Sequence, residues 1–315
     1  MKSKPLFLPH LIAFLTVVVW GSTFVFTKLL LISGLSPSLI FTLRFIIAYV
    51  LLLLFSLGRA SMVKSSFYPI RWMSASWRDE LLMLALGVTG GSLYFLAENE
   101  AMRHTTTTNT SLIVCSCPLV AAALISLFYR SERMSRLQTF GSMMAVVGVA
   151  IVVLNGRFVL HLSPLGDALA LTANLCWAFY SLLMIPANKR YDAVFITRKV
   201  FFYGLLTMIP YYLLKPEELP APLGQGPDIG VLLSPAVAGN LLFLGCIASM
   251  LCFLMWTWVM RKLGAMIATN YVYINPITTV IFAWWLLAEP ITPFFVLGSI
   301  FILAGMYLAD RRHLS

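Results

Sequence analysis

Lys28, Arg44, Glu98 and Asp167 are among the ionisable side chains that interrupt or border the apolar stretches of this 315-residue sequence. An ionisable group inside a bilayer costs about 3 kcal/mol or more, so each is first a functional candidate. Arg44 lies about eight residues inside an apolar run, and Glu98 lies inside another. Two readings are open: a structural Arg44–Glu98 pair with Lys28 extending its stem toward the interface, or Glu98 as a proton site that couples flux to a pH gradient. Polar and aromatic residues at helical spacing form a second set. Trp20, Phe24 and Thr27 share a face, as do Gly91, Tyr94 and Glu98. Asn174, Trp177 and Ser181 share another, and so do Tyr271, Asn275 and Thr278. Asn109 adds a polar anchor in the fourth apolar stretch. Such faces either line a ligand cavity with aromatic walls and a few polar groups or bond helix to helix. The expected substrate-binding set is Trp20, Tyr94, Glu98, Asn109, Trp177, Ser181, Tyr271 and Asn275, with Arg44 and Glu98 as the charge-coupling pair.

Two prolines, Pro118 and Pro276, fall within apolar stretches. Each lacks a backbone N–H and crowds the carbonyl four residues earlier, at Val114 and Val272, so each bends its helix. They serve either as static packing kinks or as hinges. Other chemistries find no support. A phosphate-binding G-x-x-x-x-G-K-S/T loop is missing, so no ATP acts directly on this chain. His10, His104, His161 and His313 are scattered without metal-ligand spacing. There is no G-x-S-x-G nucleophile elbow. No cofactor is expected.

The elements that position these residues follow from composition. Apolar residues make up 60% of the chain and charged residues 11%, against about 45–50% and 25% in soluble domains. A water-soluble fold could not hide that surface. With about 20 residues needed per crossing, ten stretches qualify: 8–30, 36–57, 80–102, 106–129, 135–155, 164–186, 193–214, 236–260, 264–287 and 291–309. The segment 58–79, polar with interspersed aromatics, reads as an interfacial loop. The segment 215–235 reads as an irregular Pro-rich outer loop. With the N-terminus inside, 17 of the 22 Lys and Arg fall on the inner side and 3 on the outer. That bias sets both termini in the cytoplasm and accounts for the net charge of +10 without nucleic acid. The five cysteines all lie in apolar runs and read as small hydrophobes.

The two halves, 1–156 and 157–315, repeat one another. Trp20 matches Trp177, Glu132 matches Glu289, Gly141 matches Gly298 and Gly148 matches Gly305, all 157 residues apart. Gly87 matches Gly245 and Pro118 matches Pro276 at 158. A unit with an odd number of spans ends on the side opposite its start, so the second unit must be inverted. The predicted fold is an all-α integral membrane protein with ten transmembrane helices in two inverted five-helix repeats. Inverted repeats are a common architecture of secondary transporters, with the site between them near the midplane. The paired glycines, seven apart, read as sites of close helix approach. Glu132 and Glu289 read as complements to helix N-termini.

The sequence resembles the EamA-type family of the drug/metabolite transporter superfamily. The resemblance rests on Trp20-Gly-Ser-Thr-Phe, on Arg44, and on Pro118…Glu132…Gly141…Gly148 with its copy Pro276…Glu289…Gly298…Gly305. It covers the whole chain. It implies ten helices, cytoplasmic termini and transport of small organic metabolites, often outward; amino acids are the first guess it suggests. The acidic stretch Glu98-Asn99-Glu100 departs from the family pattern. The expected function is a secondary, non-ATP exporter of small metabolites in a bacterial inner membrane, with the lipid bilayer and a proton as further partners. The rival reading is an integral-membrane enzyme acting on lipid-linked substrates, with Glu98 or Asp167 as base. A non-transporting sensor or scaffold needs neither a cavity nor paired hinges.

Overall fold

The computed structural model describes residues 7–62, 71–104, 110, 113–129, 134–154, 163–220, 224, 228–287 and 291–310. Helices account for nearly all regular structure among them. The chain runs through α1 (Phe7–Ile32) and α2 (Pro37–Met62) into α3 (Trp77–Gly87). A widened π turn over Val88–Ser92 then leads into α4 (Leu93–His104). Next come α5 (Cys117–Phe128), α6 (Arg136–Leu154), α7 (Pro164–Arg190), α8 (Ala193–Leu206), α9 (Ile209–Leu214) and the short α10 (Ile229–Leu232). A second widened segment, Phe243–Leu251, joins α11 (Pro235–Leu242) to α12 (Cys252–Leu263). Gly264, at φ 87° where only glycine is unstrained, turns the chain into α13 (Ala265–Asn270). A 3-10 turn over Tyr271–Ile274 precedes α14 (Asn275–Leu287), and α15 (Pro293–Asp310) ends the described chain.

Among the described residues, seven segments are long and apolar enough to cross a membrane: Phe7–Ile32, Pro37–Gly58, Trp77–Ala101, Arg136–Leu154, Pro164–Arg190, Ala193–Leu214 and Pro235–Leu263. The sequence predicts ten spans, and the other three differ for physical reasons. In 106–129 the helix restarts at Cys117, and part of the stretch lies outside the described residues. The stretch 264–287 is divided by the Tyr271–Ile274 turn. The last span is apolar but shorter. The expected loop 58–79 begins later than predicted, since α2 continues to Met62, and α3 starts at Trp77 behind the Ser76 cap, whose side chain accepts from the Asp79 N–H. Among its described residues the Pro-rich 215–235 holds a 3-10 turn (Pro216–Glu218) and α10, then passes into α11 at Pro235.

The packing is crosswise between the halves. The most extensive helix pair is α6 with α15. They run antiparallel, because a Cβ at Gly141 would lie 2.6 Å from the Gly305 oxygen and one at Gly148 would lie 2.7 Å from the Gly298 oxygen. Missing side chains let the backbones touch. α1 packs on α14 and α12, and at the matching positions α7 packs on α5 and α4. α2 packs on Phe243–Leu251, and α8 packs on α3 and Val88–Ser92. Gly245 meets Ile47 while its match Gly87 meets Tyr203. The exterior is apolar: Leu213, Leu127, Trp285 and Phe140 are each at least 60% exposed.

Candidate functional site

At the centre of this packing lies a cavity of about 460 Å³. One face of α1 supplies Trp20, Thr23, Phe24, Thr27, Lys28 and Leu31, a stripe that keeps a helix side turned inward. α2 adds Phe41 and Arg44; α4 adds Tyr94, Phe95, Glu98 and Asn99. Trp177, Phe253, Asn275 and Thr279 complete the wall from α7, α12 and α14. The cavity runs toward the Lys28 end of α1. Its opposite limit is a cluster of aromatic rings. Trp20 stands edge-on to Trp177 at 5.5 Å and lies 5.0 Å from Trp256 and 5.6 Å from Phe253. Tyr94 lies 5.4 Å from Trp177.

Arg44 and Glu98 face the same cavity without forming an ion pair within contact distance. Arg44 Nε donates to Ser249 Oγ at 2.8 Å, and its guanidinium lies 5.0 Å from the centre of the Phe95 ring. Glu98 Oε1 accepts from the Tyr94 hydroxyl at 3.0 Å, one helical turn away. Both charges are therefore held by neutral partners and turned toward a space a guest molecule could enter. Protein and cavity, rather than lipid, surround them, which is how a bilayer protein tolerates buried charge.

The structure brings Trp20, Arg44, Tyr94, Glu98, Trp177 and Asn275 to this one cavity. It sets Ser181 and Tyr271 elsewhere. The Ser181 hydroxyl donates to the Trp177 carbonyl at 2.9 Å and accepts from Thr269 at 3.3 Å, in the fully buried contact of α7 with α13. Tyr271 bonds His10 Nδ1 at 2.7 Å. The Tyr271–Ile274 turn breaks the helical register, so Tyr271 and Asn275 do not share a face; the α14 stripe toward the cavity is Asn275, Thr279 and Ala283. Thr278 instead packs against Gly21 of α1. Asn109, Glu132 and Glu289 lie outside the described residues.

Each proline sits just after an irregularity in its helical path, a turn at Ser116 or the 3-10 turn Tyr271–Ile274. Pro118 is in the first turn of α5 and Pro276 in the first turn of α14, where a missing N–H is tolerated. Before α5 the Ile113 carbonyl accepts from the Ser116 hydroxyl at 2.7 Å and from Asn174 Nδ2 at 2.5 Å, and Asn174 Nδ2 also bonds Ser116 Oγ at 2.9 Å. Asn174 is thus a polar tie between α7 and the fourth span. Asp167 caps its own helix: its Oδ2 accepts from the Ser163 N–H at 3.2 Å while Ser163 Oγ accepts from the Gly166 N–H at 3.4 Å. That reciprocal cap accounts for one carboxylate oxygen of Asp167; the other is buried with no hydrogen-bond partner among the described residues.

A charged network closes the opposite end, and single-sequence reasoning missed it. Asp79 pairs with Arg190 and accepts from the Tyr191 hydroxyl at 2.9 Å. Glu80 pairs with Lys199, accepts from the Tyr203 hydroxyl at 2.5 Å and accepts from the Ser74 N–H at 2.7 Å. Arg198 is 5% exposed within α8 and bonds the Arg71 carbonyl. A smaller cavity of about 240 Å³ lies at this end, lined among others by Ile125, Met184, Asn188, Arg261 and Met266. Met184 and Asn188 match Thr27 and Leu31 of the larger cavity at the offset of 157 residues. Among the described residues, no group of three or more His, Cys, Asp or Glu is arranged to hold a metal.

A multi-pass helical membrane protein with a charged, aromatic-floored interior cavity defines a class: proteins that admit a small molecule within the bilayer. The chain belongs to the EamA-like transporter family, whose model matches residues 7–154 and again 164–309. It is therefore a membrane transporter rather than an enzyme. It is 27% identical over 305 residues to an uncharacterized transporter of Archaeoglobus fulgidus, covering 96% of this chain and 97% of that one. It is 26% identical over 237 residues to a "Probable terminal-alkyne amino-acid exporter" of Streptantibioticus cattleyicolor, covering 75% of each. It is 24% identical over 308 residues to the uncharacterized inner membrane transporter YedA of Escherichia coli, covering 94% of this chain and 90% of that one. A crystal structure 17% identical to this chain covers 96% of each with a TM-score of 0.73, which establishes the shared fold.

Proposed function

We propose that the protein is a secondary exporter of small zwitterionic metabolites, amino acids first among them, working by alternating access between two inverted five-span repeats. The observation that carries the substrate class is a single cavity of about 460 Å³ presenting both Arg44 and Glu98 above an aromatic floor. Arg44 suits a carboxylate, Glu98 suits an ammonium group, and Trp20 and Trp177 suit an apolar side chain. The amino-acid exporter among its relatives agrees with this class. Inversion is supported by the antiparallel meeting of α6 and α15 at matched glycines and by the crosswise packing of matched helices. With both termini in the cytoplasm, as the Lys and Arg bias indicates, the large cavity faces outward and the Asp79–Arg190 and Glu80–Lys199 ties close the cytoplasmic side.

The test is counterflow in liposomes: vesicles loaded with an unlabelled amino acid should accumulate the labelled one transiently, and protein-free vesicles should not. A panel of zwitterions, organic anions and amines identifies the class; preference for anions or amines over zwitterions would refute the two-anchor reading. Glu98 is the candidate proton site, so flux should follow an imposed pH gradient and Glu98→Gln should abolish that response. Flux in the variant that still follows the gradient would refute it.

A further inference from the structure

The two matched tryptophans are not in matched states. Trp20 Nε1 donates to the Ala248 carbonyl at 2.9 Å, tying α1 to the widened segment Phe243–Leu251. Trp177 occupies the same position in the second half, 157 residues on. It is 7% exposed, and its Nε1 is buried without a partner among the described residues. A buried N–H left unpaired loses its hydration with no return, and a bond made in another arrangement would recover that cost. The acceptor is identified by the repeat. At the 158-residue offset that relates Gly87 to Gly245, Ala248 corresponds to Gly90, inside the widened turn Val88–Ser92. Gly90 lies against the ring of Tyr180, and Tyr180 is 5.2 Å from Trp177 ring to ring. Both candidate acceptors thus lie in widened turns, where the regular ladder is interrupted and backbone carbonyls can be redirected. Gly91, at φ −130° and ψ −108°, is already out of helical conformation.

We propose that the two indole N–H groups act as alternating ties: Trp20 to Ala248 holds the state seen here, and Trp177 to the Gly90 carbonyl holds the state in which the halves have exchanged conformations. This rests on the inverted-repeat reading of the proposed function. Exchange of conformations turns every bond in one half into its counterpart in the other. The Trp20 bond should therefore open as the Trp177 bond closes, with the larger cavity closing at the Leu31 end and the smaller one opening at the Asn188 end.

The experiment uses full-length protein in liposomes, its five native cysteines replaced by alanine, with one reporter cysteine at a time, Leu31→Cys or Asn188→Cys, matched positions in the two cavities. The rate of labelling by a membrane-permeant maleimide reads the fraction of time each end is open. Trp20→Phe removes the tie of the present state, so labelling at Asn188→Cys should rise about fivefold relative to Leu31→Cys, the shift one net hydrogen bond sets. Trp177→Phe should move the ratio about as far in the opposite direction. The double variant should return it close to the parent ratio. The Trp177 variant breaks no bond in the present state, so it keeps the test alive if Trp20→Phe does not fold. Shifts of the same sign, no shift with Trp177→Phe, or a double variant that stays displaced would overturn the proposal. Counterflow by the parent protein is measured in the same vesicles, so failure of the ties is distinguishable from failure of the carrier reading.

Discussion

The contact between α6 and α15 yields a prediction whose size can be worked out atom by atom. A Cβ added at Gly148 would lie 2.6 Å from Ile302 N, 2.7 Å from the Gly298 oxygen and 2.9 Å from Ile302 Cγ1. Two of these three are backbone atoms, which cannot rotate aside. Ordinary contact begins near 3.4 Å, so the helices must part by close to 1 Å. A gap of that width forfeits roughly a quarter to a half of each dispersion well along the seam. Overpacking of this kind costs about 1–3 kcal/mol, so Gly148→Ala should lower the melting temperature of the detergent-purified protein by several degrees. Gly298→Ala, whose Cβ would meet the Gly148 oxygen at 2.7 Å and Val152 N at 2.8 Å, should do the same. The double variant should cost less than the sum, because helices already parted accommodate the second methyl group; that is the expected failure of additivity for residues sharing one contact. Gly58 on α2 has no atom of the described residues within 4 Å of its would-be Cβ, so Gly58→Ala should leave stability unchanged or raise it by up to about 1 kcal/mol through helix propensity. The measurement is retention of the monodisperse peak after heating, read by tryptophan fluorescence. Parent-like stability in Gly148→Ala, or an equal loss in Gly58→Ala, would refute the close-packing argument.

Three further outcomes are expected. Glu80→Gln leaves Lys199, 5% exposed, without its carboxylate and should destabilise by about 3–5 kcal/mol, with partial recovery in the Glu80→Gln, Lys199→Gln double variant; thermal denaturation checks both. Asn174→Ala removes the bonds from Asn174 Nδ2 to the Ile113 carbonyl and Ser116 Oγ, while the carbonyl keeps its bond from the Ser116 hydroxyl; the loss should be about 1 kcal/mol, measured the same way. Arg44→Gln should raise the half-saturating concentration of a zwitterionic substrate about tenfold or more, on the scale of a charged hydrogen bond, while binding of the corresponding amine, which lacks the carboxylate, should change little; equal loss for both in a scintillation-proximity binding assay would remove Arg44 from carboxylate recognition.

Much of the architecture was legible because it is written in short-range patterns. Apolar length marks the crossings, and twin residues at a fixed offset mark the repetition: Trp20 with Trp177, Gly148 with Gly305. The stripe on α1 was legible from periodicity, since a helix without interruption keeps its faces. Where the helix is interrupted, periodicity misleads. The Tyr271–Ile274 turn rotates Tyr271 away from Asn275 and sends it to His10, and nothing in residues 264–287 announces that turn apart from Pro276. The widened turns were equally silent. Asp79 and Glu80 were missed for a different reason. Their partners Arg190 and Lys199 stand 111 and 119 residues away, so each looked like one more polar residue at the edge of a span. Ser181 shows the converse: its helical spacing from Trp177 is real, but a hydroxyl bonding its own helix and a neighbour fits that spacing as well as a ligand contact does.

The distribution of polarity has a practical corollary. Arg44, Glu98, Asn174 and Thr269 are each less than a tenth exposed, while Leu213, Trp285 and Phe140 stand at the periphery. This molecule keeps its hydrophilic groups indoors and wears its oil on the outside. Engineering habits learned on soluble proteins therefore run backwards here. Swapping rim leucines for lysine would hinder insertion instead of improving solubility, and greasing the middle would fill the larger cavity. Mutational scans of this chain should accordingly find their tolerant positions among conservative apolar exchanges at the lipid boundary, and their sensitive ones among the few hydrophilic groups that never see the bulk.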